Sequence, residues 1–346
     1  MTSIPLNKTW FTLLFPCILC SILHQATSHV PKPEPPTYGS NYMLQRYEKW
    51  LQKYERVYQG RDEWQLRFGI YQSNVQFIDY VNSQNLSYKL IDNKYADMTN
   101  EEFSTFYLGY NGHEYSGSSE PNDDVPEVLP KNLDWRKKGA VTHVRDQGRC
   151  GACWAFSVVA AIEGINKIKG GNLTYLSEQM LVDCDVNNGD IGCRGGIMVK
   201  AYDFVKKNGG ITSAKDYPYI GKEEDCNKSK EKEPSVIIKG YKTIKSKHET
   251  SLQHAVAKQP VSVALAAGFF FQFYGSGLYS GPCGTHLNHG VTVVGYGEES
   301  GSKYWIIKNS WGTDWGENGY MRLERGTEDE GGKCGIAKDT SYPVLS

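Results

Sequence analysis

Between Cys20 and Cys150 the chain has no cysteine, although nine occur in its 346 residues. That gap excludes a disulfide framework spanning the whole molecule, and it confines covalent stapling to the part beyond residue 149. Positive charge is not in excess either. Against 38 Lys and Arg stand 39 Asp and Glu, a formal net charge of -1, so the total offers no surplus for binding nucleic acid. Long apolar runs are missing after residue 28, and none there reaches the roughly 18 residues that a membrane helix needs.

An apolar run does occur at the start, TWFTLLFPCILCSIL from Thr9 to Leu23, with Lys8 the one charge before it. It is short for a membrane span, and the small residues Ala26-Thr27-Ser28 follow. This is the layout of a secretory signal peptide, residues 1–28, with cleavage expected after Ser28. Removal discards Cys17 and Cys20 and leaves seven cysteines: Cys150, Cys153, Cys184, Cys193, Cys226, Cys283 and Cys334. The secretory route permits disulfides, and an odd count implies one thiol left over. It also makes Asn85-Leu-Ser, Asn172-Leu-Thr and Asn227-Lys-Ser candidate glycosylation acceptors.

Charge divides the remainder unevenly. Residues 29–128 hold 9 Lys and Arg against 15 Asp and Glu, a net of -6; from 129 onward the count is 28 against 24, a net of +4. The two parts are expected to attract each other. Residues 29–40 are proline-rich, and 41–82 have the pattern of a helix. Residues 111–128 (NGHEYSGSSEPNDDVPEV) are a polar linker of the kind proteases cut. Beyond it, AFSVVAAIEGINKI (Ala155 to Ile168) predicts a buried helix ending at Gly170-Gly171. Short β-rich runs follow at Pro260–Ala264, Gly290–Val294 and Tyr304–Ile307. The expectation is an α+β protein of two lobes.

Cys150 and Cys153 form a C-x-x-C with three meanings: a redox pair, half of a zinc site, or a disulfide cysteine beside a nucleophile. Zinc wants four ligands, and the best cluster, Cys283, His286 and His289, lacks a fourth. A redox pair needs both thiols free and leaves five cysteines, again an odd number. A nucleophile needs a base, a group that orients the base, and an oxyanion donor. Cys153 stands where the buried helix begins, and the positive end of a helix favours a thiolate. His289 lies 136 residues on, Asn309 156 on, and Gln147 six before.

The blocks QGRCGACWAFS, LNHGVTVVGYG and YWIIKNSWGTDWGENGYMRL resemble the signatures of the papain-like cysteine proteases, plant members above all. The resemblance spans residues 42–345. It includes an inhibitory prosegment, whose interspersed motif matches Glu63, Arg67, Ile70, Tyr71, Asn74, Ile78 and Asn82, with Tyr71 where Phe is usual. A second prosegment motif matches Ile91, Asn93, Tyr95 and Asp97, with Ile91 in place of Gly and Tyr95 in place of Phe.

The resemblance implies a papain-like two-lobe α+β fold, with a helical left lobe, a β-barrel-like right lobe and a helical N-terminal prosegment. Residues 29–128 would be the propeptide and 129–346 the mature peptidase. Cys153 would be the nucleophile, His289 its partner, Asn309 the orienting group shielded by Trp311, and Gln147 an oxyanion donor. Disulfides Cys150–Cys193, Cys184–Cys226 and Cys283–Cys334 are implied. Gly195 and Gly196 would bond an extended substrate. Met198, Ala264, Gly290 and Asp339 would line the pocket for the side chain two positions before the scissile bond (P2), with Asp339 at its floor. Protein and peptide substrates, the chain's own propeptide and cystatin-like inhibitors are the expected partners of a monomer, with no cofactor, metal, nucleic acid or membrane. The expected location is the secretory pathway, ending in an acidic vacuole or lysosome-like compartment or outside the cell. The alternative is a catalytically inactive member of the same fold acting as a binding or inhibitor protein.

Overall fold

The helical stretch read over 41–82 is two helices, α1 (Ser40–Lys53) and α2 (Arg61–Ser83). Between them Glu55 takes a φ of 52° and Gly60 a φ of 97°, left-handed backbone that a right-handed helix cannot continue through. The computed structural model describes residues 39–112, 128–188, 190–231 and 234–345. The expected signal peptide and residues 113–127 of the linker lie outside them.

Met43, Tyr47 and Trp50 of α1 pack on Tyr71 and Val75 of α2 in a small core of their own. The Tyr47 ring lies 4.8 to 5.8 Å from those of Trp50, Trp64, Phe68 and Tyr71. Two asparagines of the interspersed motif then fasten the following chain to α2. Asn74 Nδ2 donates to the carbonyls of Ala96 and Met98, both at 2.9 Å. Asn82 donates to the Leu90 carbonyl at 2.8 Å and accepts from its N–H at 2.9 Å. They hold the strand β1 (Tyr88–Leu90) and the turn after it. The helix α3 (Asn100–Tyr107) then starts on a capping box between Thr99 and Glu102. The tyrosines that replace phenylalanine both find partners: Tyr71 donates to Asp92 at 2.8 Å and Tyr95 to the Trp311 carbonyl at 3.3 Å.

After β2 (Leu133–Asp134) come four helices, α4 (Cys153–Ile168), α5 (Glu178–Cys184), α6 (Met198–Lys207) and α7 (Lys228–Glu231). Every residue of α4 from Cys153 to Ile165 is buried, as its apolar sequence requires. The rest is β3 (Gly240–Thr243), α8 (Glu249–Lys258), β4 (Val261–Leu265), α9 (Phe269–Gln272), β5 (Tyr274–Tyr279), β6 (His289–Glu299), β7 (Ser302–Lys308), β8 (Tyr320–Glu324) and β9 (Asp339–Val344). The sheet order is β1-β5-β8-β7-β6-β4-β9-β3, with β2 on β6. It is an open path whose two ends do not pair among the described residues. One end is supplied by the prosegment: β1 adds antiparallel to β5, with Tyr88 opposite Gly277. Ile91, where a glycine was usual, is accommodated from the other side. Its side chain lies over Gly275, where a Cβ would come within 2.6 Å of it.

The helical and strand-rich parts join where β6 crosses α4. Ser157 Oγ of α4 donates to the Val291 carbonyl at 2.7 Å, and Ser262 Oγ of β4 donates to the Ser157 carbonyl at 3.0 Å. The bonds Cys150–Cys193, Cys184–Cys226 and Cys283–Cys334 are formed, which leaves Cys153 as a buried free thiol. Asn85, Asn172 and Asn227 are all exposed. No helix among the described residues is long and apolar enough to cross a membrane.

The small core of α1 and α2 rests on Trp50, whose ring is buried and whose Nε1 donates to the Asn93 carbonyl at 2.9 Å. Replacing it with alanine should cost the prosegment about 3–5 kcal/mol. A thermal melt of the Trp50→Ala precursor is expected to show an early transition separate from the main one, and an unchanged single melt would refute this.

Candidate active site

Cys153 is the first residue of α4 and His289 the first of β6. They are brought together because β6 runs against the first turn of α4 at Gly290. A Cβ there would lie 3.2 Å from Trp154 Cα and 3.3 Å from the Cys153 carbonyl carbon, a contact close enough to favour glycine. The Gly290 N–H points at Cys153 Sγ from 3.3 Å. His289 Nε2 lies 2.8 Å from Asn309 Oδ1, in the loop that leaves β7. That oxygen also accepts the Ser310 backbone N–H at 2.8 Å. A backbone amide can only donate, so the atom is the oxygen and the imidazole carries its proton on Nε2. Nδ1 is buried with no hydrogen-bond partner. The Trp311 ring lies over the imidazole, centroids 4.4 Å apart and planes at 28°.

Gln147 is fully buried. Its Oε1 accepts from Ser310 Oγ at 2.6 Å, and its Nε2 donates to the carbonyls of Cys150 at 2.8 Å and Tyr107 at 3.2 Å. Tyr107 belongs to the prosegment, which occupies the cleft. Gly109 sits on the Gly151 backbone so closely that a Cβ would fall 1.9 Å from the Gly151 carbonyl oxygen. The Gly109 carbonyl accepts from Gly196 N–H at 2.9 Å, and Asn111 N–H donates back to the Gly196 carbonyl at 3.2 Å, a parallel bridge. Gly195, at a φ of 118°, lies beneath the Asn111 side chain.

Ala264, Gly290 and Asp339 form one cross-strand row. Ala264 of β4 is in register with Gly290 of β6 on one side and with Asp339 of β9 on the other, so the three share a face. Met198, at the start of α6, belongs to the same buried cluster as Ala264 and the ring of prosegment Tyr110. The Tyr110 hydroxyl donates to the Asp339 carboxylate.

Burial dominates the electrostatics of the covered site. It pushes the Cys153 thiol up to about 11, against the opposing pull of the N–H groups of Gly290, Gly109, Trp154 and Cys153 itself. It pushes His289 down to about 4, although the bond to Asn309 favours the charged ring. With the prosegment in place, burial thus favours the neutral thiol and the neutral imidazole.

Several participants were not read from the sequence. Behind Asn309, Glu163 accepts from Thr142 Oγ1 at 2.6 Å and pairs with Arg145 at 3.1 Å; Arg145 also pairs with Glu178, and Lys308 donates to Thr142 at 2.8 Å. Burial pushes Glu178 up to about 8 and Lys308 down to about 8. Glu163 had a signal, as the one charge in the apolar run Ala155–Ile165, since a buried charge demands partners. Ser310, Tyr107 and Tyr110 had none, because each acts through contacts distant in sequence.

A buried thiol at a helix start, an imidazole held by a carboxamide and a segment of the same chain laid across both define a cysteine endopeptidase in its precursor form. The model described as papain family cysteine protease matches residues 129–344, and that described as cathepsin propeptide inhibitor domain matches residues 47–103. A senescence-specific cysteine protease of Arabidopsis thaliana is 46% identical over 315 residues, covering 88% of this chain and 90% of its own. Vignain of Ricinus communis is 47% identical over 307 residues, covering 86% and 85%. Among solved structures, a recombinant stem bromelain precursor superposes with a TM-score of 0.82 at 44% identity, covering 88% of this chain and 99% of its own. Digestive procathepsin L 3 of Tenebrio molitor larval midgut gives 0.78 at 35% identity, covering 88% and 99%. The chain belongs to the papain family of cysteine proteases and carries that family's propeptide.

A valine at Gly109 would collide with Gly151 and lift the prosegment from the thiol, letting water return. The alkylation rate of Cys153 by iodoacetamide at pH 7 is expected to be slow in the intact precursor. In Gly109→Val it should rise by at least about tenfold, the equivalent of one unit of thiol pKa. Equal rates in the two proteins would show that the covering segment does not set the state of the thiol.

Proposed function

We propose that Cys153 and His289 are the reacting pair of this endopeptidase. The observation that carries the reading is the buried, unpartnered Nδ1 of His289 next to the one free thiol of the described residues. With Nε2 committed to Asn309, Nδ1 takes the Cys153 proton once the cleft is uncovered. The thiolate adds to the scissile carbonyl carbon, and the oxyanion is met by Gln147 Nε2 and the Cys153 N–H. The imidazolium returns its proton to the leaving amine as the C–N bond breaks, leaving a thioester. Water, deprotonated by His289, hydrolyses that ester and restores the thiol. Asn309 keeps the ring in plane for both transfers, and Trp311 shields the hydrogen bond.

The P2 pocket of Met198, Ala264, Gly290 and Asp339 takes bulky apolar side chains. Asp339 also accepts Arg or Lys, a charge-assisted hydrogen bond contributing roughly 1.5–3 kcal/mol. Gly195 and Gly196 bond the substrate backbone. The prosegment 29–128 holds the mature part, 129–346, inactive until acid loosens it and a cut near Val128-Leu129 frees the enzyme. The protein enters the secretory pathway and works as a monomer in an acidic vacuole or lysosome-like compartment or outside the cell, where cystatin-like inhibitors are its natural opponents.

The expected attraction between the acidic prosegment and the basic remainder is one route by which acid acts, and a second lies inside the prosegment. There Arg46 pairs with Asp79 at 2.7 Å and with Asp92 at 3.0 Å, and Arg67 with Glu102 at 2.9 Å. An ion pair that crosses to the peptidase, Lys94 with Asp146, has its acid on the peptidase side. The hydrogen bond from Arg67 holds the Glu102 carboxyl below its ordinary 4.5. A lowered acid stabilises the folded prosegment fully above that ordinary value, and the contribution is lost as pH falls through the folded one.

Acid-processed protein is expected to hydrolyse a Phe-Arg peptide in the presence of reductant. Cys153→Ala should abolish turnover, and Gln147→Ala should lower kcat by about 10²–10³. Inactivity of the processed wild type would favour the binding-protein alternative. Glu102→Gln removes the acid-sensitive contribution at every pH, so its self-processing should begin at a higher pH than that of the wild type. An unshifted pH profile of processing would rule out this pair as part of the acid response.

A further inference from the structure

The prosegment does more at the P2 pocket than fill it. Its backbone is fixed on both sides of Tyr110: Tyr110 N–H donates to the Asn288 carbonyl at 3.0 Å, and Gly109 and Asn111 bridge to Gly196. Between those fixed points the ring enters the cluster of Met198 and Ala264, and the phenol ends on Asp339. Tyr110 is 4% exposed and Asp339 3%. Among the described residues the phenol is the hydrogen-bond donor that reaches this carboxylate. The stem of Lys338, the nearest cation in sequence, lies by Gly331 and Gly335 instead.

We propose that this pocket is a receptor for a phenol, with Asp339 as the group that selects tyrosine over phenylalanine at P2. The inference rests on the peptidase reading above and names the substrate class of that same pocket. Met198, Ala264 and Gly290 offer a ring only apolar contact, which Phe and Tyr use equally. The floor distinguishes them. When the prosegment leaves, a buried carboxylate loses its donor, and leaving such a group unpaired is costly. A P2 tyrosine supplies a phenol at the end of the same ring, where Tyr110 had placed one. A P2 phenylalanine covers the carboxylate with carbon and supplies nothing. A site built to hydrogen-bond a hydroxyl discriminates strongly against the analogue lacking it. Arginine also satisfies Asp339, but through its charge, so the two specificities have different requirements. A carboxamide at 339 still accepts from a phenol, yet it offers a guanidinium no opposite charge.

The test uses acid-processed enzyme and three fluorogenic dipeptides, Tyr-Arg, Phe-Arg and Arg-Arg, with active sites counted by alkylation of the thiol. In wild type kcat/KM for Tyr-Arg is expected to exceed that for Phe-Arg by about tenfold. Asp339→Asn should keep most of that ratio while losing turnover of Arg-Arg. Asp339→Leu should bring the ratio to about one. A second readout uses the full-length precursor: at pH 7 alkylation of Cys153 by iodoacetamide should be about tenfold faster in Tyr110→Phe than in the wild-type precursor, because phenylalanine enters the pocket without a donor for Asp339. A wild-type ratio near one, or equal alkylation rates of the two precursors, overturns the proposal even if Asp339→Leu does not fold. Failure of processed wild type to cleave any of the three substrates overturns the peptidase reading instead.

Discussion

The contact on which the structure depends is the approach of β6 to the first turn of α4. Thiol and imidazole come from two differently built cores, one of helices and one of strands, and neither side chain is long. They meet only because the two backbones touch at Gly290. That closeness buries main-chain polar groups at the seam, and small hydroxyls answer them: Ser157 to Val291, Ser262 to Ser157, and Thr292 to the same Ser157 carbonyl at 3.3 Å. Larger polar side chains would satisfy the bonds but hold the elements apart. Asn309 then needs only a short loop after β7 to reach the imidazole, because β7 is already paired with β6.

The prosegment exploits the same device. At three of the places where it comes down on the peptidase, a glycine has removed the obstruction: Gly109 over Gly151, Ser87 over Gly277, Ile91 over Gly275. Its inhibition is thus electrostatic as well as steric. A segment this close leaves no room for water, and without water neither the thiolate nor the imidazolium is favoured. The covered site thus keeps Cys153 and His289 close together while burial favours the uncharged form of each.

Much of this was legible in the sequence, for a physical reason. The cysteine, histidine and asparagine each sit in a short block whose local structure is nearly determined by its own residues, such as the apolar helix after Cys153 and the β-rich run after His289. What could not be read were contacts between elements far apart in the chain. The break between α1 and α2 depends on Tyr47 folding back against Tyr71, and periodicity runs straight through it. The compensation of Ile91 by Gly275 joins residues that no local pattern connects. The charge sums pointed to attraction between the two parts, and they carried no sign that Asp79, Asp92 and Glu102 would each pair with an arginine of the prosegment itself. A net charge does not say where the charges go.

The prosegment's hold on the peptidase is of two kinds. Backbone bonds, such as Ile91 to Phe273 at 2.8 Å and Leu278 to Ser87 at 2.9 Å, and ring contacts, Phe77 with Phe269 at 4.7 Å and Tyr88 with Tyr279 at 4.8 Å, do not depend on charge. The ion pair of Lys94 with Asp146 and the hydrogen bond from Tyr110 to the Asp339 carboxylate cross the same seam and do involve acids. Inside the prosegment, Arg46 with Asp79 ties α1 to α2, and Arg67 with Glu102 ties α2 to α3. Carboxylates thus stand both on the docking surface and within the segment that docks. The aromatic contacts depend on the second set as well as the first, because the helices that carry them have to stay together for the rings to meet the peptidase as a group.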